Sequence, residues 1–93
     1  MRCDLWDDHY YRTPDDLAAL ASTYDGYNRA HPSVFVGEFA ANGAKLATLQ
    51  AALAEAAFML GFEHNADVVH ASSFAPLFAN TNYEGWVRKR RQS

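Results

Sequence analysis

Cysteine is nearly absent: Cys3 stands alone among 93 residues. No internal disulfide and no cysteine-built zinc site can form, which excludes the disulfide-stapled secreted scaffolds common at this length. Long hydrophobic runs are missing as well. No stretch reaches the roughly 20 apolar residues needed to span a bilayer, and the opening Met-Arg-Cys-Asp-Leu-Trp-Asp-Asp carries no signal-peptide core. No membrane contact is expected, and a cytoplasmic location is favoured. The chain also lacks a phosphate-cradling glycine loop and a Gly-x-Ser-x-Gly elbow, which argues against nucleotide and serine-hydrolase chemistry. His31, His64 and His70 show no metal-ligand spacing, so neither a metal nor a cofactor is expected, and His70 inside an apolar run reads as a core residue. Positive charge is scarce outside one place. Arg88, Lys89, Arg90 and Arg91 hold four of the eight basic residues, leaving residues 1–87 with 4 basic against 11 acidic, a net of −7. So acidic a body argues against nucleic acid as a ligand, and residues 87–93 read as a solvated, disordered basic tail.

What remains is an apolar, aromatic chain, with 49% hydrophobic and 14% aromatic residues, and it is composed to be buried. Residues 3–8 predict a short strand leading into the cluster His9, Tyr10, Tyr11, Arg12. A helix follows, with Thr13 as its cap, Pro14 in the first turn and Asp15 and Asp16 at the positive end of the helix dipole. Leu17, Leu20, Ala21 and Tyr24 form its buried stripe. Val34-Phe35-Val36-Gly37 is a continuous apolar run of the kind covered on both faces. Residues 46–60 predict a helix apolar nearly all round, hence enclosed, with Gly61 as its cap. Residues 68–74 form a third strand, stopped by Pro76. Strand, helix, strand, helix, strand with short connections is the signature of βαβ units and a parallel sheet. Three strands leave such a sheet unfinished, so the chain reads as part of a larger α/β body.

Glu38 is the first candidate for chemistry. It puts a carboxylate where an apolar strand ends, an expensive place for an unpaired charge. In barrels of parallel strands the carboxyl ends carry the reacting groups, and a preceding glycine lets a ligand come close. The alternative is a strand-end glutamate that is exposed or paired with an arginine. His9, Tyr10 and Tyr11 occupy the matching place on the first strand. Imidazole and phenol groups can hydrogen-bond a sugar or a carboxylate, and their rings offer apolar faces. Strand alternation should send Tyr10 to one face and its neighbours to the other.

Several stretches carry a resemblance: Asp7-Asp8-His9-Tyr10-Tyr11-Arg12-Thr13-Pro14, Tyr24-Asp25-Gly26-Tyr27, Val34-Phe35-Val36-Gly37-Glu38-Phe39-Ala40, Ala52 to Gly61, Asn65-Ala66-Asp67-Val68-Val69 and Ser73 to Asn80. In this order they resemble the α-L-arabinofuranosidases of glycoside hydrolase family 51. The resemblance implies that residues 1–86 are the C-terminal part of a (β/α)8 TIM barrel, about its last three strands with their helices. It implies Glu38 as the nucleophile of a retaining glycosidase releasing terminal α-L-arabinofuranosyl groups from arabinose-containing oligo- or polysaccharides. It further implies that His9, Tyr11 and Tyr10 line the sugar subsite. Asp8 stands where the family commonly has glutamate, and Phe39 replaces a tyrosine. The acid/base glutamate of these enzymes follows an asparagine, and no Asn-Glu pair occurs in this sequence. The chain is therefore expected to carry the nucleophile without the acid, to be inactive alone, and to be able to oligomerise through exposed sheet edges. A non-catalytic remnant that binds sugar or a protein partner is the other reading.

Overall fold

The computed structural model describes residues 3–42, 48–78, 80 and 82. Strand β1 (Leu5–Arg12) is followed by helix α1 (Pro14–Ala19) and a single 3-10 turn over Leu20–Ser22. Strand β2 (Ser33–Ala41), helix α2 (Leu49–His64) and strand β3 (Val69–Phe74) complete the order. The strands form one sheet, β1-β2-β3, with both pairings parallel. The chain is α/β, as its alternation of elements predicts. The basic tail and Leu46 lie outside the described residues.

Boundaries shift for physical reasons. Strand β1 runs on through His9, Tyr10 and Tyr11 to Arg12, since each residue there pairs with β2. Glu38 accordingly sits inside β2 and not at its end. The Thr13 hydroxyl accepts from the Asp16 amide at 3.3 Å and caps α1 with Pro14 in its first turn, the start read from the sequence. Helix α2 opens at Leu49 because the Thr48 hydroxyl caps it, accepting from the Ala51 amide at 3.1 Å. Gly61 does not end α2. It is buried within the helix, where a side chain would run into the carbonyl of Ala21. The missing Cβ lets α2 lie directly on the turn that follows α1.

Both helices cover the same face of the sheet. Leu17, Val34, Val36, Phe39 and Phe58 are fully buried between the layers, with Tyr24, Ala51, Phe62, Val68 and Val69 around them. The aromatic rings meet edge to face: Phe39 stands 5.7 Å from Phe58 and 5.4 Å from Phe62, and Phe58 and Phe62 are 4.5 Å apart. Such pairs add about 0.5–1.5 kcal/mol each beyond area burial. The opposite face of the sheet carries no helix among the described residues. The apolar run of β2 is thus covered on one face and half-covered on the other, where Phe35 lies. Helix α2 is likewise only half enclosed, with Leu49, Leu53, Met59 and Leu60 exposed.

Below the sheet, Arg29 ties two loops together. Its Nη1 donates to the carbonyls of Tyr24, Asp25 and Tyr27, its Nη2 to Asn65 Oδ1 at 2.8 Å, and its Nε to Asp67 Oδ2 at 3.0 Å. Asn65, buried at the end of α2, returns its amide to Asp25 Oδ1 and the Gly61 carbonyl. The Arg29 bond holds the exposed Asp67 carboxyl below its ordinary pKa. Every polar position of the buried Asn65 is used, so the loops before β2 and β3 are joined without an orphaned group.

The ladder is irregular at two places. On β3, one extra residue falls between Val69 and Ala71, so His70 is displaced from the ladder. Its ring is exposed and meets Ser33 Oγ at 3.2 Å, which corrects the expectation of a core histidine. On β2, Asp8 pairs with Val36 but His9 pairs with Glu38, and the same extra residue appears against β3, where Ser72 pairs with Val36 and Phe74 with Phe39. Gly37 is the residue inserted.

Substituting Gly61 by alanine should destabilise the folded chain by about 1–3 kcal/mol, the usual effect of forcing a methyl group into a filled site. A lower midpoint of denaturant unfolding at unchanged slope is the expected result. An unchanged midpoint would show that the helix and the Ala21 turn can move apart freely.

Candidate active site

The bulge at Gly37 decides where Glu38 points. Side chains of a regular strand alternate, so Val34, Val36 and residue 38 would all face the helices. Val34 and Val36 are fully buried there. The inserted Gly37 advances the pattern by one: Phe39 takes the buried position against Phe58 and Phe62, and Glu38 turns to the helix-free face, its side chain 44% exposed. Bulges commonly re-aim a side chain in this way next to functional sites.

Strand β1 presents its odd-numbered residues to that same face. His9 is the direct register partner of Glu38, and its Nδ1 lies 3.8 Å from Glu38 Oε2. The Tyr11 hydroxyl donates to the same Oε2 at 2.5 Å. This hydrogen bond, more than any other influence, holds the Tyr11 phenol above its ordinary pKa, since ionising it would remove the proton the carboxylate accepts and leave two anions in contact. Asp7, two residues before His9, faces His9 Nε2 through Oδ2 at 3.1 Å. Glu38, His9 and Tyr11 therefore meet, on adjacent parallel strands. Glu38 has no arginine partner among the described residues.

Tyr10 goes elsewhere. It points to the helix face, its ring 5.1 Å from Phe58, its hydroxyl 2.8 Å from that of Tyr24 and 3.3 Å from Asp8 Oδ2. The cause is alternation: residue 10 must oppose residues 9 and 11. Tyr10 thus stands apart from the Glu38 cluster, on the face that strand alternation predicts for it. Asp8 shares the Tyr10 side, accepting from Tyr24 at 2.7 Å and from Trp6 Nε1 at 2.8 Å. Burial raises the pKa of both Tyr10 and Tyr24, and the neighbouring Asp8 charge acts in the same direction. These phenols are structural donors.

Asp7 is the member of the cluster that the sequence does not single out. The aromatic triplet draws attention to consecutive residues, whereas spacing by two selects Asp7, His9 and Tyr11 together. Gly37 also plays a different part from the one expected of it. The space its side chain would fill is occupied by the Asp7 carboxylate and, at 3.0 Å, by His9 Nε2. The glycine admits this chain's own side chains. Among the described residues no group of three or more histidine, cysteine, aspartate or glutamate side chains can hold a metal ion.

The cluster is thus a carboxylate with a phenol bonded to one of its oxygens and an imidazole facing that oxygen, and a second carboxylate behind the imidazole. Comparison with known proteins gives the chain a family. Residues 24–88 match the family described as the α-L-arabinofuranosidase C-terminal domain. The chain is 45% identical over 83 residues to an extracellular exo-α-L-arabinofuranosidase of Streptomyces chartreusis, an alignment covering 89% of this chain and 10% of that protein. It is 45% identical over 86 residues to α-L-arabinofuranosidase 2 of Arabidopsis thaliana, covering 90% and 13% respectively. An arabinose-bound α-L-arabinofuranosidase of glycoside hydrolase family 51 superposes with a TM-score of 0.79 at 36% identity, over 85% of this chain and 15% of that one. The chain spans between 10% and 15% of the length of these relatives. With the matched stretch running from Tyr24 through β2, α2 and β3, the chain belongs to the α-L-arabinofuranosidase C-terminal domain family.

Proposed function

We propose that this chain supplies the nucleophile of a retaining glycoside hydrolase that releases terminal α-L-arabinofuranosyl residues from arabinose-containing oligo- or polysaccharides. The observation that carries the reading is the Gly37 bulge, which aims Glu38 away from the helices and beside His9 and Tyr11. Parallel strands with helices on one face suit about the last three strands of a (β/α)8 barrel. The helix-free face would then be the barrel interior, and the carboxyl ends of its strands the site of reaction.

The roles follow from the donors on each oxygen. Tyr11 occupies Glu38 Oε2 and His9 faces it, which leaves Oε1 as the oxygen that attacks the anomeric carbon. Attack forms a glycosyl ester while the bond to the leaving oxygen breaks. A second carboxyl group about 5 to 5.5 Å away must protonate that oxygen and then take a proton from the water that hydrolyses the ester. The helix carboxylates do not suit this role. Glu55 accepts from the Ala41 amide at 2.9 Å, and Glu63 lies exposed on α2. Glu84 lies outside the described residues, and the family's acid follows an asparagine whereas no Asn-Glu pair occurs in this sequence, so the acid is assigned to residues outside this segment, and the 93-residue chain alone should release no arabinose.

An active hybrid tests the assignment, made by replacing the matching segment of the Streptomyces enzyme with this chain. Glu38→Ala in that hybrid should lower kcat on an ordinary arabinofuranoside by about 10³-fold or more. Azide should partly restore turnover of an activated aryl arabinofuranoside by occupying the vacated space. Full activity in the Glu38→Ala hybrid would show that the nucleophile is another carboxylate.

Tyr11 offers a pH-dependent check. Its phenol stays protonated above the pH at which tyrosine ordinarily ionises, because it donates to Glu38. Glu38→Gln removes the charged acceptor, so the Tyr11 titration should move down towards about pH 10, the direction opposite to the shift in the unmodified chain. Titration of tyrosine labelled with ¹³C at Cζ reads this directly. An unmoved Tyr11 curve would mean that the two groups are not coupled in solution.

A further inference from the structure

The two flanks of Glu38 are built differently. On the β1 side the imidazole of His9 and the phenol of Tyr11 stand against Oε2. On the β3 side the neighbour is Ser73, and the ladder fixes its face. Ser72 pairs with the fully buried Val36, and Phe74 pairs with Phe39, the two rings meeting at 5.7 Å on the helix side. Ser73 lies between these two and must point the other way, onto the helix-free face. It stands level with Gly37 and Glu38, because the extra residue of β2 falls between the Val36 and Phe39 pairs. Adjacent strands run about 4.8 Å apart, which makes Ser73 the cross-strand neighbour of the nucleophile. The residue is exposed, and its hydroxyl has no hydrogen-bond partner among the described residues.

Resting on the proposed glycosidase reading, we propose that Ser73 is a sugar-binding residue, hydrogen-bonding a ring hydroxyl of the arabinofuranosyl group while Glu38 Oε1 attacks its anomeric carbon. Tyr11 holds Oε2 from the β1 side, so the sugar meets Oε1 over the flank that Ser73 occupies. A furanose is a small ring with hydroxyls close to its anomeric carbon, and a group one strand from the nucleophile is near enough to meet one of them. The serine hydroxyl both donates and accepts, so it can pair with a sugar hydroxyl in either sense. Ala71, the preceding residue of β3 on this face, carries no polar side-chain atom and offers no substitute. The β1 flank orients the carboxylate, and the β3 flank orients the sugar against it.

Threonine and valine have nearly the same shape and both suit a strand, differing in a hydroxyl against a methyl group. The pair Ser73→Thr and Ser73→Val therefore separates the hydrogen bond from any effect on β3. In the active hybrid, kcat/KM on an aryl arabinofuranoside should be about 3- to 10-fold lower for Ser73→Val than for Ser73→Thr, the size of one neutral hydrogen bond. Ser73→Ala, which adds no bulk, should fall by a similar factor below the unchanged hybrid. Aryl arabinofuranosides lacking the 2-, the 3- or the 5-hydroxyl identify the partner: with one of the three, the difference between the threonine and valine variants should vanish, because the bond is already missing from the substrate. A serine that only supports the strand would leave the variants equally spaced on all of them. Unchanged kcat/KM in Ser73→Ala, equal values for Ser73→Thr and Ser73→Val, or a difference that persists with all three deoxy substrates would overturn the proposal. If Glu38→Ala leaves the hybrid active, the glycosidase assignment itself falls; if Glu38→Ala is inactive while Ser73→Ala is fully active, only the role of Ser73 is lost.

Discussion

One inserted residue governs the face on which this chain can do chemistry. Strand β2 must bury Val34 and Val36 beneath the helices, and it must also bury Phe39 against Phe58 and Phe62. A strict period of two cannot satisfy both, because residues 36 and 39 differ by an odd number. The bulge at Gly37 resolves the conflict and turns Glu38 outward at the same point. Glycine suits the position because the Asp7 carboxylate and the His9 ring fill the volume a side chain would need. Core packing and site geometry are two consequences of the same extra residue.

The rest of the structure holds that strand in place. Aromatic rings on α2 fix the buried side of Phe39, and the Tyr10, Tyr24 and Asp8 hydrogen bonds fix β1 against the turn that follows α1 and its 3-10 turn. Arg29 and Asn65 join the loops that precede β2 and β3. Among the described residues each polar side chain drawn into these layers has a partner, so the parallel register, and with it the pairing of His9 with Glu38, is held without an unsatisfied buried group. Two glycines serve opposite ends of this arrangement. Gly61 brings the helix layer together, and Gly37 opens room on the sheet's other face.

The chain leaves two apolar surfaces only partly covered: the outer side of α2, with Leu49, Leu53 and Leu60, and the sheet face around Phe35. Among the described residues the sheet of three parallel strands also has two open edges, β1 and β3. These features agree with the small share of the relatives' length that the chain spans. They also explain why a helix apolar nearly all round is legible in the sequence as one that calls for enclosure, although its described surroundings enclose only one side.

The sequence by itself determined the order of elements, the cap at Thr13, the parallel α/β class and the interest of Glu38, His9 and Tyr11. These rest on local chemistry: hydrophobic period, capping side chains, proline and glycine. What it could not determine was which face each side chain would take. Within β1 plain alternation does send Tyr10 away from His9 and Tyr11, against Phe58, and marks Asp7 by its spacing of two; but His70, expected in the core, lies outside, and Gly61, expected as a cap, is a contact inside the helix. A side chain's face in a strand depends on counting residues along the ladder, and one bulge changes every later count. Bulges exist only in the pairing between strands, so the neighbours of Gly37 and of His70 were decided by tertiary structure alone, where burying Phe39 and Val69 set the register that local sequence leaves free.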